Sequence, residues 1–267
     1  MLQAYGVTNK GRVRATNEDF FAVDEALQLC VIADGMGGHN AGEVASRLAV
    51  DSFVAFMRAG DDHARFTLEA GPVQPNERWP YYGYDPGLSQ AGNRIRTAIA
   101  FANAQILEMS LTGEEYSGMG TTVVAAIVDR GRLSIGHVGD SRLYLLTTNG
   151  LKALTRDDSW MATVLAENPG VDPAVVQTHP MRNALTNVVG MRPRTQVHIL
   201  ETSLAGGELF LLSTDGVHGV LDDRSLEQLM RMTTDVRQLA AVLVETAISR
   251  GSRDNCTAIV ARYLPDC

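Results

Sequence analysis

Apolar residues fall in two rhythms along this chain: short unbroken runs, and longer stretches repeating every three to four positions. The runs Leu29 to Ala33, Val123 to Val128, Leu133 to Val138 and Leu143 to Leu146 are bounded by turn residues and read as buried strands. Further strands are expected over 197–200, 208–213 and 256–264, with two short ones around a loop in 3–24. Residues 41–57 carry Val50, Phe53, Val54 and Met57 at i, i+3, i+4, i+7, and 90–110 carry Ile95, Ile99, Ala102, Ile106 and Met109 on one face. Both predict helices. Another helix is expected near 159–167, and two follow Gly216. The second of these has Val236, Leu239, Ala240, Leu243 and Ala247 on one face, and Asp235 and Gln238 are placed like a capping box.

The links between strands set the class. Asp129-Arg130-Gly131 and Asn149-Gly150 read as hairpin turns, and consecutive hairpins argue against a doubly wound parallel sheet. Periodicity vanishes over 60–90, where GPVQPNERWPYYGYDPG holds four of the nine prolines beside Trp79, Tyr81, Tyr82 and Tyr84. Such a segment is neither helix interior nor central strand, and reads as a surface insertion. No linker divides the 267 residues, so a single domain over 1–267 is expected.

Composition narrows the partners. The hydrophobic fraction of 45% and charged fraction of 20% are those of a globular protein. A net charge of −8 and a pI near 5.2 argue against nucleic acid and anionic membrane surfaces. No apolar run is long enough to span a bilayer, and the N-terminus lacks a signal-peptide core. Cys30 and Cys256 sit in apolar runs and read as buried free thiols, as expected in a reducing cytoplasm.

The candidate chemistry lies where strands end. Asp34, Asp140 and Asp215 each follow an apolar run, and Asp254 precedes one. Carboxylates forced together cannot all stay ionised without positive charge among them, so a cation is the natural resolution. All-oxygen ligands favour Mg²⁺ or Mn²⁺ over zinc. A metal pair suits phosphate-ester hydrolysis. A guanidinium that grips the phosphate would complete the site, and Arg14, beside Asn17-Glu18-Asp19, is the candidate.

Eight segments in order, VRATNEDFF, ADGMGGHNAGEVAS, SGMGTT, VGDSRLYLL, LTRDDS, HPMRNALT, LLSTDGV and SRDNCTAIV, resemble the metal-dependent protein phosphatase family, type 2C, in its compact bacterial form. Together they span nearly the whole chain. The resemblance implies an α+β fold: a β-sandwich of two antiparallel sheets flanked by α-helices, four layers in all, with residues 155–195 as a flap. It implies that Asp34 bridges two tightly bound Mn²⁺ or Mg²⁺ ions, that Gly35 offers its backbone carbonyl, and that Asp215 and Asp254 complete the second site. Glu18 and Asp19 would hold metal-bound waters, Arg14 the phosphate, and Asp140 a weaker third ion. The implied activity is hydrolysis of phosphoserine and phosphothreonine in proteins by direct water attack. The implied setting is a cytoplasmic monomer opposing a Ser/Thr kinase.

Two positions depart from that pattern. Met36 stands where eukaryotic relatives carry a histidine proposed as general acid, leaving His39 as a candidate. Asp158 stands where relatives often carry histidine. Two other readings compete. Gly139-Asp140-Ser141 with Asp215 to His218 resembles blocks of a Ser-His-Asp esterase, but that reading leaves Arg14, Asp34 and Asp254 without work. A non-catalytic pseudophosphatase would be expected to have lost ligands, and Asp34, Asp215, Asp254 and Arg14 are all present.

Overall fold

Both faces of the central strands are apolar, and each face meets a different neighbour. The structure is a computed structural model that describes residues 1–37, 41–59 and 85–265. One sheet has the order β1 (Leu2–Asn9), β11 (Cys256–Tyr263), β10 (Leu209–Ser213), β7 (Arg142–Thr147) and β8 (Gly150–Ala153). The other runs β2 (Asp19–Asp24), β3 (Leu29–Met36), β5 (Val123–Asp129), β6 (Arg132–Val138) and β9 (His198–Ser203), with β4 (Gly120–Thr121) pairing β3. Every pairing is antiparallel.

Alternation along single strands assigns the layers. On β3, Leu29, Val31 and Ala33 pack beneath α1 (Ala41–Arg58) and α2 (Gln90–Ser110), while Cys30 and Ile32 face the opposing sheet. On β11, Cys256, Ala258 and Val260 pack under α5 (Asp215–His218), α6 (Asp223–Met230) and α7 (Val236–Ser249), while Ile259 and Ala261 point inward. Burial on both faces is why these strands read as unbroken apolar runs. Four layers result, helix on sheet on sheet on helix, as the resemblance implied.

Most expected elements form within a residue or two of their expected limits. Three differences stand out. Strand β3 does not stop at Ala33: it continues through Asp34 to Met36, because Gly35 and Met36 pair with Thr121 and Gly120 of SGMGTT. At α7 only half of the capping box forms. Asp235 Oδ1 accepts from the Arg237 and Gln238 amides, but the Asp235 amide donates to Thr233 Oγ1 rather than to Gln238. Residues 155–195 contain α3 (Trp160–Glu167) and a short α4 (Pro173–Gln177), and are tied to the sandwich by the bridges Ser159–Leu185 and Thr121–Val189. Cys30 and Cys256 are buried and free, as expected. Among the described residues no helix is long and apolar enough to cross a membrane. Trp79, Tyr81, Tyr82 and Tyr84 of the aperiodic segment, and His39, lie outside the described residues.

Candidate active site

The acids singled out in the sequence arrive from both sheets at one end of the sandwich. Asp19 opens β2 and lies directly opposite Asp34 on β3. Asp215 follows β10 and Asp254 precedes β11, whose strands are hydrogen-bonded neighbours. Asp140 sits where the chain leaves β6 and enters β7, crossing from one sheet to the other.

Hydroxyls join the two halves. Asp19 is 4% exposed, and its Oδ2 accepts from Thr214 Oγ1 at 2.9 Å, just past the end of β10, and from Thr257 Oγ1 at 2.6 Å, on β11 of the opposite sheet. Main chain fixes Asp34: its carbonyl accepts from the Thr122 amide at 2.8 Å and from Thr121 Oγ1 at 2.8 Å, and its amide donates to Thr122 Oγ1. Asn255 pins the loop that carries Arg14. Its side-chain amide donates to the carbonyls of Lys10 and Thr16, and its Oδ1 accepts from the Glu18 amide at 2.8 Å. The Gly35 amide donates to the Glu18 carbonyl, so Glu18 is held from two sides. Gly35 has a further reason to lack a side chain: a Cβ there would stand 1.9 Å from the carbonyl oxygen of Gly42 in α1.

The electrostatics are those of crowded anions. Burial, then the charges of Asp19, Asp215, Asp140 and Asp254, push the Asp34 carboxyl far above the carboxylate range. Burial raises Asp19 to about 7 against its two hydroxyl partners, with Asp215 adding to the rise. Asp140 is pushed to about 7 by burial and by Asp215, and Asp215 to about 6 by burial and by Asp254. Two carboxylate oxygens, Asp19 Oδ1 and Asp215 Oδ1, are buried without a hydrogen-bond partner. Arg14 is the cation at the rim. Its Nη2 donates to Asp254 Oδ2 at 2.6 Å and its Nη1 lies 3.9 Å from Glu18, which leaves the side chain half exposed.

This donor set fits a hard divalent cation in chemistry: it is all oxygen, mutually repelling, and has two buried oxygens lacking a partner. It does not form a closed cage. Among the described residues no group of three or more His, Cys, Asp and Glu side chains stands close enough to hold an ion as placed. The fit therefore rests on donor type and the orphaned oxygens, which reflect where charge is missing.

The esterase alternative fails on partners. Ser141 is 1% exposed and hydrogen-bonds Thr122 Oγ1 at 2.7 Å, whereas the His218 ring is engaged by Ser213 Oγ at 3.0 Å. No serine–histidine pair is assembled between them. Further residues of the site are hydroxyls and an amide that hold the acids in place. Thr122, Thr214, Asn255 and Thr257 are positioning groups that all stand inside the segments SGMGTT, LLSTDGV and SRDNCTAIV, but nothing in those segments announces which acid each one holds.

Comparison with known proteins agrees with the architecture. The family model described as Protein phosphatase 2C matches residues 9–250. The serine/threonine phosphatase stp of Listeria welshimeri is 30% identical over 256 residues, covering 95% of this chain and 92% of that one. The crystal structure of the Mycobacterium tuberculosis serine/threonine phosphatase PstP/Ppp superposes with a TM-score of 0.81 at 27% identity, over 98% of this chain and 99% of the other. The catalytic domain of PstP in complex with two manganese ions superposes with a TM-score of 0.74 at 27% identity, over 98% of each chain.

Proposed function

The chain belongs to the protein phosphatase 2C family, and from that premise we propose how its own residues carry out the family's chemistry. It is a metal-dependent serine/threonine protein phosphatase. In our reading the two ions are held by Asp34, the Gly35 carbonyl, Asp215 and Asp254, with Glu18 and Asp19 acting through water. Asp140 holds a weaker third ion. Oxygen donors make Mn²⁺ and Mg²⁺ the fitting metals, and the manganese-bound PstP domain supports the first. Such a pair supplies an acidified water and positive charge for the phosphoryl oxygens.

The remaining work belongs to the chain. Arg14 offers a half-exposed guanidinium at the rim, oriented by Asp254, to take two phosphate oxygens at once. Asn255 keeps the Arg14 loop and Asp254 in one frame. Thr214 and Thr257 hold one oxygen of Asp19 and leave the other free to face a cation's water. Met36 cannot donate a proton, so the leaving hydroxyl of the substrate takes its proton from His39 or from solvent.

We assign the whole chain to one catalytic domain. It acts as a cytoplasmic monomer on proteins phosphorylated at serine or threonine, opposing a Ser/Thr kinase. The buried free thiols Cys30 and Cys256 support a reducing compartment.

One observation carries the metal-centre reading: five carboxylates from both sheets converge at one end, two of them with an orphaned buried oxygen. The test is hydrolysis of para-nitrophenyl phosphate. EDTA should abolish it and Mn²⁺ restore it, while Asp34→Ala and Asp215→Ala should each lower turnover by more than about a hundredfold, because a direct ligand is lost where outer-shell losses alone cost about 10- to 100-fold. Full activity in either variant would sink the two-ion assignment.

A further inference from the structure

Asp158, in the segment LTRDDS, has an imidazole partner from elsewhere in the chain. His198 Nε2–H, on β9, donates to Asp158 Oδ1 at 2.9 Å. The other oxygen, Oδ2, accepts from the Gly139 amide at 3.0 Å and from Asn187 Nδ2 at 2.8 Å. The main chain repeats the connection: the Asp158 amide donates to the Gly139 carbonyl at 2.9 Å, and the Thr186 amide to the Asp158 carbonyl at 2.8 Å. One carboxylate thus ties three places together, namely the turn before Asp140, the far side of the flap, and β9.

The turn it holds is also braced on its other side, where Ser141 Oγ bonds Thr122 Oγ1 at 2.7 Å. Gly139 adopts φ +97°, a left-handed conformation open to glycine, and a Cβ there would meet Thr122 Cγ2 at 2.6 Å. Its amide is spoken for by Asp158 alone among the side chains, and the next residue is Asp140. His198 is itself braced. His137, its cross-strand neighbour, stacks on it with ring centroids 4.9 Å apart and is anchored through Nε2 to the Arg156 carbonyl at 2.9 Å. Arg156, Asp157, Asp158, His137, His198 and Glu167 line a cavity of about 290 Å³ beside α3, so the latch lies against open space rather than in solid packing.

We propose that Asp158 and His198 form a latch that positions Asp140, the carboxylate assigned above to the weaker ion. Asp158 is a positioning residue acting through the Gly139 amide, and His198 locks it in place. This rests on the reading of Asp140 as a metal-holding residue, so the test separates the two ideas.

Hydrogen–deuterium exchange on the metal-free full-length protein examines the latch without reference to metal. His198→Ala should speed exchange of the Gly139–Asp140 turn and of residues 186–188, leaving β11 and α7 unchanged. His198→Gln keeps an N–H donor and should restore protection. Mn²⁺ titration followed by electron paramagnetic resonance then examines the consequence. His198→Ala should weaken the low-affinity site by about tenfold, a typical outer-shell loss, and spare the tight pair, with His198→Gln closer to the unaltered protein. Unchanged exchange at the turn in His198→Ala would overturn the latch, as would equal effects of the two substitutions. Asp140→Asn is the separating control: if it leaves the weak Mn²⁺ site intact, the metal role of Asp140 falls, and the exchange result alone decides the latch.

Discussion

Asp19 serves the fold and, in the assignment proposed above, the reaction. Its Oδ2 joins the two sheets through Thr214 and Thr257, while its Oδ1 is buried without a partner. Thr257→Val keeps the shape and removes a hydroxyl bonded to both Asp19 and Thr8, so it should destabilise the metal-free protein by about 1.5–3 kcal/mol, the range for a lost hydrogen bond to a charged acceptor. Urea unfolding in EDTA checks this, and a midpoint equal to that of the parent would deny Thr257 the role. The acids themselves were legible in the sequence because each ends or precedes an apolar run. The hydroxyls that organise them were not, since Thr257 sits 238 positions from Asp19 and nothing local announces the contact. Asp158 was visible as a departure from the family pattern, but its partner His198, 40 positions on, was not.

At the scale of elements, the helices and central strands were readable because packing against two layers writes itself as unbroken apolar runs and 3.6-residue stripes. The short pairing of Gly35–Met36 with Gly120–Thr121 escaped, because two-residue ladders between glycine-rich segments look like turns. That pairing and the start of α1 meet at Gly35. Gly35→Ala should drive its Cβ against the Gly42 carbonyl, 1.9 Å away, and α1 cannot yield without moving off β3. Overpacking of this kind costs up to about 3 kcal/mol. A loss below about 1 kcal/mol in denaturant unfolding would show that the α1–β3 contact is looser than described.

For the molecule as a whole, the acid cluster sets a pH dependence of folding when metal is absent. Asp19 and Asp140 are raised to about 7 and Asp215 to about 6, all from 3.8, and burial with the neighbouring acids raises Asp34 well above its ordinary value. A raised folded-state pKa means that the native chain binds protons more tightly than the unfolded one. Its contribution is therefore fully present below about pH 4 and is lost as pH climbs through the folded values near 6–7. In EDTA the melting temperature should fall between pH 5 and pH 8, and Mn²⁺ should flatten that fall. A metal-free protein equally stable at both values would contradict the crowding of ionised acids.

The edge strand β1 pairs along its whole length with β11, Leu2 opposite Tyr263 and Asn9 opposite Cys256. Chains are synthesised from the N-terminus, at about 5–20 residues per second in a cell. Residues 2–9 therefore leave the ribosome many seconds before the strand they need, and Arg14 must wait equally long for Asp254. Pairings so distant in sequence are slow to close and leave edges open to wrong partners. On the site assignment proposed above, a nascent copy would hold no complete metal centre until β11 emerges, and would leave the phosphate on the proteins around it.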